Sequence, residues 1–189
     1  MLQKYYIGTG MELNVVTDGE DYLIPGIAEQ IERAGIHTAD SISVCPTQKI
    51  PEKEKQRAVE YAGKLALALR TPCLVNIRFI YYDHEIYLFH ASVTQSHSVP
   101  FLTKATGISA AAVATRCMLG EKLGGYEYGT GSSNLLNTVL CVCPFSALAN
   151  WRVGYAARPG DEIHGARLSV SRTPLKMRCS KAWRLPGCV

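Results

Sequence analysis

Nothing in this sequence suits it to a membrane. No run approaches eighteen apolar residues, the length a spanning helix needs. The opening MLQKYYIGTG lacks the apolar core of an export signal. A phosphate-binding glycine loop is missing as well. Gly8-Thr9-Gly10 and Gly129-Thr130-Gly131 have no third glycine opening a helix and no Gly-Lys-Ser/Thr. That excludes a dinucleotide fingerprint and a P-loop, and both fragments are expected to be turns. Metal-ligand spacing is absent too. Cys141-Val142-Cys143 has no second pair at zinc-finger distance, and His84, His90 and His97 do not form H-x-x-x-H. Structural or exposed histidines are the expectation. No serine, cysteine or carboxylate triad can be assembled from spacing alone.

Charge is scarce, at 19% of residues against 47% hydrophobic. That balance describes a core-forming globular chain, and 189 residues suffice for one domain plus a tail. The seven cysteines are odd in number and scattered. Without an export signal they point to free thiols in a reducing cytoplasm. The net charge of +4 is uneven: from Arg152 onward eight Lys and Arg face two acids. A basic tail can suggest nucleic acid, but this one has no aromatic interleaving or helical stripe, so a solvated end is expected and no nucleic-acid partner.

Glu12 to Thr17 reads as a strand, Asp18-Gly19 as a turn, and Asp21 to Ile27 as the returning strand of a hairpin. Pro51-Glu52-Lys53-Glu54 opens a helix, since proline and acids suit a first turn. Ala58, Ala62, Leu65 and Leu69 recur at helical spacing beside Val59 and Ala66, and Thr71-Pro72 ends it. Two strands, CLVNIRFIYY and EIYLFHA, follow around Asp83-His84. A single helix is expected within Leu102–Leu119, then a glycine-rich loop over Gly120–Ser133, one strand at NTVLCVC, and an unpatterned tail. Strands and helices in this order predict a sheet covered by two helices.

The most informative stretch is EIYLFHASVTQSHSVPF, from Glu85 to Phe101. A strand breaks into small polar residues, a layout that delivers side chains to a site at its exit. Yet the exit holds His90, Ser92, Thr94 and His97 and no carboxylate.

The order of words along the chain resembles the carbamoyl-phosphate synthase large chain, an ATP-grasp ligase family. DGEDYLIPGIAEQIERAGIHTADS, KLALALR, LVNIRF, EIYLF, VPFLTKATG and AAAVATRCMLG carry the likeness, over about residues 2–121. PGIAEQIERAGIHT is more similar to the carbamate-phosphorylating second half. A fainter echo runs through RPGDEIHG at Arg158–Gly165. The resemblance implies an α+β fold: the C-terminal subdomain of an ATP-grasp domain, a mostly antiparallel sheet covered by helices, and incomplete. It divides the chain into a partial ATP-grasp domain at 1–121 and a glycine-rich loop with basic tail at 122–189.

The resemblance also implies ATP and magnesium as cofactors, for carbamoyl phosphate synthesis. In that family magnesium takes oxygen ligands from a strand written NVQF and from a strand exit written IEVNPRASRT, whose arginine contacts phosphate. Here the first reads Asn76-Ile77-Arg78-Phe79, and in the second the Glu, Asn and Arg positions hold His90, Ser92 and Thr94. An acidic position near the nucleotide ribose corresponds to Gly10. Rescue would need Asp40, Asp83 or Glu85 to be repositioned. The family residues left to touch nucleotide are Ile36, His37 and Thr38, through their backbone. No catalytic and no metal residue is therefore assigned. The resemblance places the start of the chain inside the ATP-grasp domain, so a missing ATP-grasp half or a synthase subunit is the expected partner. The expectation is a fragment without catalysis of its own; the alternatives are a protein-binding module or half of a split ligase completed in trans.

Overall fold

The computed structural model describes residues 6–33, 43–94, 96, 98–132, 140–144 and 166–170. Strand β1 (Thr9–Thr17) runs through the middle of the sheet and pairs antiparallel with three others. These are β2 (Tyr22–Ile24), β3 (Ile27–Arg33) and β5 (Cys73–Tyr82). Strand β6 (Glu85–Ser92) lies at one edge against β5. On the other side β3 continues through β4 (Ser43–Cys45) and β8 (Leu140–Pro144) to β9 (Ala166–Val170). Strand β7 (Gly131–Ser132) adds to β2 in parallel. Mostly antiparallel pairing agrees with the expected α+β class.

The hairpin at Asp18-Gly19 forms as anticipated, with Val16 opposite Leu23 and Thr17 opposite Tyr22. The β5–β6 turn uses Asp83 and His84 at φ 51° and 60°. Two successive left-handed residues give the mirror-image turn that matches strand twist, and aspartate tolerates that conformation better than most residues.

Helix α1 (Glu52–Ala68) carries Glu52 and Glu54 in its first turn, where they face the positive end of the helix dipole. It buries Ala58, Ala62 and Ala66, with Gly63 between them against the ring of Tyr22. The sequence reading placed Leu65 and Leu69 on that stripe; both are instead exposed. The alanine ridge lets the helix lie close on the sheet, so long side chains there would overpack it. Beneath it Met11, Leu13, Val15, Val75, Ile77 and Phe79 alternate inward from β1 and β5.

The opposite face is covered by two helices rather than the one expected. These are α2 (Ser98–Thr106) and α3 (Ala110–Met118), broken at Gly107 with φ 76°. Only glycine takes that conformation freely. Val99 and the α3 residues Val113, Ala114 and Cys117 pack with Val16 and Leu74, while Phe101 and Leu102 pack with Ala28 and Cys45. Three further expectations are corrected. The returning strand of the hairpin ends at Ile24 and Ile27 opens strand β3, Gly10 lies inside β1 rather than in a turn, and the tail contributes strand β9. Among the described residues no helix is long and apolar enough to cross a membrane.

Cys45, Cys73 and Cys117 are free and buried. Burial pushes the Cys45 thiol up to about 12, overcoming a backbone hydrogen bond from Ile27. Cys73 and Cys117 are raised by burial too, so all three stay protonated and inert as nucleophiles.

Asp18 ties the hairpin to the chain beyond α3. Its Oδ1 accepts the N–H groups of Glu20 (2.9 Å) and Asp21 (2.7 Å), and its Oδ2 that of Leu123 (2.8 Å). Burial alone raises this carboxyl. The three backbone donors and Lys122 together outweigh it, and the pKa falls below the ordinary value. A depressed folded-state value stabilises the fold at pH above the unfolded value, about 3.9, and the benefit disappears as pH falls through the folded one. Asp18→Asn is therefore expected to cost about 1–2 kcal/mol at neutral pH. Urea denaturation at stepped pH should show the gap between the two proteins closing below that range.

Candidate functional site

The face of the sheet that α2 and α3 cover changes character toward the β6 edge. Period-two alternation puts every second residue of a strand on one face, and there the alternate residues of three neighbouring strands are polar. Register sets them in two rows. Glu12 lies opposite Arg78, which lies opposite His90; two residues along, Asn14 lies opposite Asn76, and Asn76 opposite Ser92. The rows run from fully buried to open. Glu12 is 6% exposed and Asn14 and Asn76 are buried, while Arg78 has a 28% exposed side chain and His90 is exposed.

Glu12 organises this patch. Its Oε1 accepts hydrogen bonds from Asn76 Nδ2 (2.6 Å), Ser98 Oγ (2.8 Å) and Ser96 Oγ. Asn76 Nδ2 also reaches Asn14 Oδ1 (3.1 Å), and Asn14 Nδ2 donates to Ser98 Oγ at 2.7 Å. Its second oxygen, Oε2, faces Arg78 Nε at 3.8 Å. That is an ion pair but longer than a hydrogen bond, and Arg78 Nε is buried without a hydrogen-bond partner. A buried carboxylate needs donors to offset its lost hydration. Three neutral donors and one cation provide that compensation here.

Ser92 and Thr94 sit at the β6 exit with their hydroxyls 2.9 Å apart. Phe89 is bulged out between Leu88, opposite Phe79, and His90, opposite Arg78. The bulge re-aims the strand, as bulges beside sites do.

Two of the acids considered for rescue, Glu85 and Asp83, are engaged elsewhere. Glu85 pairs with Arg57 of α1 at 3.1 Å, Asp83 occupies the β5–β6 turn, and Asp40 lies outside the described residues. His84 is in the same turn, its Nδ1 3.4 Å from Tyr81 Oη. Ile36, His37, Thr38 and His97 also lie outside the described residues. At Gly10 the backbone is roofed by Gln30, whose side chain occupies the space a Cβ would need. Among the described residues no three His, Cys, Asp or Glu gather as a metal site. Sequence reasoning brought Arg78, His90, Ser92 and Thr94 together correctly and missed Glu12, Asn14, Ser96 and Ser98. The available signal was the alternation of Glu12-Leu13-Asn14 and Asn76-Ile77-Arg78, polar on one face only.

Residues 3–125 match the family described as carbamoyl-phosphate synthase L chain, ATP binding domain. The chain is 46% identical over 176 residues to the carbamoyl phosphate synthase large chain of Lachnoclostridium phytofermentans, covering 92% of this chain and 16% of that one. It is 41% identical over 131 residues to that of Clostridium perfringens, covering 69% and 12%. The first likeness extends well past residue 121, where the sequence echo had looked faint. Two solved structures share the fold. One is the biotin carboxylase domain of a single-chain bacterial carboxylase: TM-score 0.64, 14% identity, 75% of this chain and 34% of that chain. The other is the Campylobacter jejuni biotin carboxylase complex with β,γ-ATP: TM-score 0.61, 17% identity, 75% and 31%. At those identities the likeness shows the fold alone, the ATP-grasp one.

The hydrogen-bonding around Glu12 makes a stability prediction. Glu12→Ala should cost about 3 kcal/mol, because buried donors and a half-buried cation lose their acceptor. Arg78→Ala should cost about 1 kcal/mol or less, since that side chain is partly solvated. The double variant should be less damaged than the sum by about 1 kcal/mol in a denaturation cycle. Strict additivity would show that the two charges do not interact.

Proposed function

The chain belongs to the ATP-binding-domain family of carbamoyl-phosphate synthase large chains, and from that membership we propose that it is an ATP-grasp fragment without magnesium-dependent phosphoryl transfer of its own. The chain spans 12–16% of the length of the curated relatives it matches, so the synthesis of carbamoyl phosphate by those relatives is not carried over to it. The observation that supports the reading is the row Glu12–Arg78–His90.

Magnesium requires hard oxygen ligands in near-octahedral geometry. The one carboxylate of this patch among the described residues has Oε1 taken by three donors and Oε2 turned to a guanidinium. Two unit charges about 4 Å apart interact by about 4 kcal/mol at an effective dielectric near 20. A doubly charged ion beside Arg78 meets about twice that in repulsion. His90 offsets none of it, since imidazole is a poor ligand for so hard an ion. The donor set does not fit magnesium, and a phosphoryl transfer that depends on metal alignment of the phosphates has no support here.

A second reading, a surface that meets another protein, draws on β6. This edge strand exposes Leu88 and Phe89 and has β5 as its one strand neighbour among the described residues, and such edges invite pairing. Sedimentation that stays monomeric at all concentrations, with and without an added ATP-grasp N-terminal half, would remove that reading.

Two measurements test the main one. Phosphate release from ATP with magnesium, bicarbonate and ammonia is expected to stay at background. Calorimetric titration of ATP is expected to gain nothing from magnesium. Magnesium-dependent turnover that is lost in Arg78→Ala would overturn the proposal.

A further inference from the structure

Exposed apolar side chains gather on two neighbouring elements. Of the eleven large ones exposed among the described residues, six belong to α1 and its C-cap or to β6 and its exit. They are Tyr61, Leu65 and Leu69 on the helix side and Leu88, Phe89 and Val93 on the strand side. We propose that this strip, with the open edge of β6, binds a second copy of the chain in an antiparallel two-fold arrangement about Tyr87. This rests on the second reading above, a protein-binding β6, and names its partner.

Tyr61, Leu65 and Leu69 recur every fourth residue, so they form one ridge along α1. Contacts settle which way it faces. Arg57 Nη2 reaches Glu85 at the start of β6 (3.1 Å), and the same guanidinium lies 6.0 Å from the centre of the Tyr61 ring. On the strand, Ile86 lies opposite Tyr81 and Leu88 opposite Phe79, which puts both on the α1 face. At 36–56% exposure the six residues leave roughly 500 Å² of apolar surface, a patch of the size that marks an interaction site. A symmetric pair doubles it to roughly 1,000 Å², where specific interfaces begin.

The edge sets the register. Asp83 and His84 alone make the β5–β6 turn, so Tyr82 and Glu85 close it as a hydrogen-bonded pair. Bonding alternates along an antiparallel pair, which turns the main-chain N–H and C=O groups of Ile86 and Leu88 away from β5. Among the described residues no strand pairs with that edge. The bulge at Phe89 ends the run, so the usable ladder is short and centred on Tyr87. A two-fold axis there sets Ile86 opposite Leu88 of the second copy, with both side chains on the α1 face. Charge favours a copy as the occupant. A two-fold interface brings a patch against itself, so a patch of one sign would be repelled. The ions beside this strip are neutralised in place, Arg57 by Glu54 and Glu85, and Lys64 by Glu60. Two such strips meet without like-charge opposition, and each supplies the strand edge that the other requires.

The experiment is sedimentation of the whole chain, reduced, over a range of concentrations. A reversible dimer is expected. Leu88→Lys and Leu65→Lys should each weaken it tenfold or more. Leu119→Lys, beyond α3 on the opposite face and 82% exposed, should leave it unchanged. On unmodified protein, hydrogen exchange of the Ile86 and Leu88 amides should slow tenfold or more as the dimer forms. Tyr87→Cys tests the register. Facing residues that are not hydrogen-bonded have Cα atoms about 4.5 Å apart, within reach of a disulfide. Mild oxidation should therefore link two copies through position 87, located by peptide mass. A monomer at every concentration, equal weakening by Leu119→Lys, unslowed exchange, or no link at position 87 overturns the inference. A chain that never dimerises but binds an added ATP-grasp N-terminal half overturns it too and leaves the broader reading standing, so the two fail separately.

Discussion

A carboxylate buried inside a sheet must be answered by donors, and how Glu12 is answered organises this protein. Three of its partners are neutral, and two of those are Ser96, in the connection between β6 and α2, and Ser98, the first residue of α2. Satisfying Glu12 therefore fastens that connection onto the central strand and sets where α2 begins. From there Phe101 and Leu102 reach Ala28 and Cys45, closing the apolar part of the same face. Polar satisfaction and hydrophobic burial meet at this junction, so neither can be altered alone.

The two faces of the sheet are built on different principles. Under α1 the contact is apolar and close, through a ridge of alanines and one glycine. Under α2 and α3 it is apolar only along part of the strands. The corner of β1, β5 and β6 left uncovered by helices is polar, and its charge is balanced internally by Glu12 and Arg78. Family membership and the carboxylase-like fold follow from the packing elements, which tolerate few changes in volume or pattern. The chemistry depends on a handful of side chains that packing does not constrain. An arginine is accommodated at position 78 without disturbing the core, because its side chain is partly exposed.

Legibility in the sequence followed the range of the forces involved. The Asp18-Gly19 hairpin, the Asp83-His84 turn, strands β5 and β6 and the ends of α1 depend on neighbours a few residues away, and all were readable. The break at Gly107 was harder, since a glycine between two apolar runs is compatible with one helix or two. Strand β3 mixes polar and apolar residues without a clear period of two, and β9 has its identity from pairing with β8. Leu65 and Leu69 misled because helical spacing identifies a stripe but not which stripe meets the sheet. Alanine won that position through closeness of approach.

The same division holds for the site. Sequence by itself determined the fold class, the family, and the order of residues that puts Arg78 on one strand and His90, Ser92 and Thr94 at the exit of the next, because those facts are carried by residue order. Tertiary structure decided that Glu12 lies opposite Arg78, that Ser96 and Ser98 hold one of its oxygens, and that the guanidinium is left short of an acceptor. Those relations join strands and a loop more than sixty residues apart. Only the register of a folded sheet brings such groups within ångströms of one another.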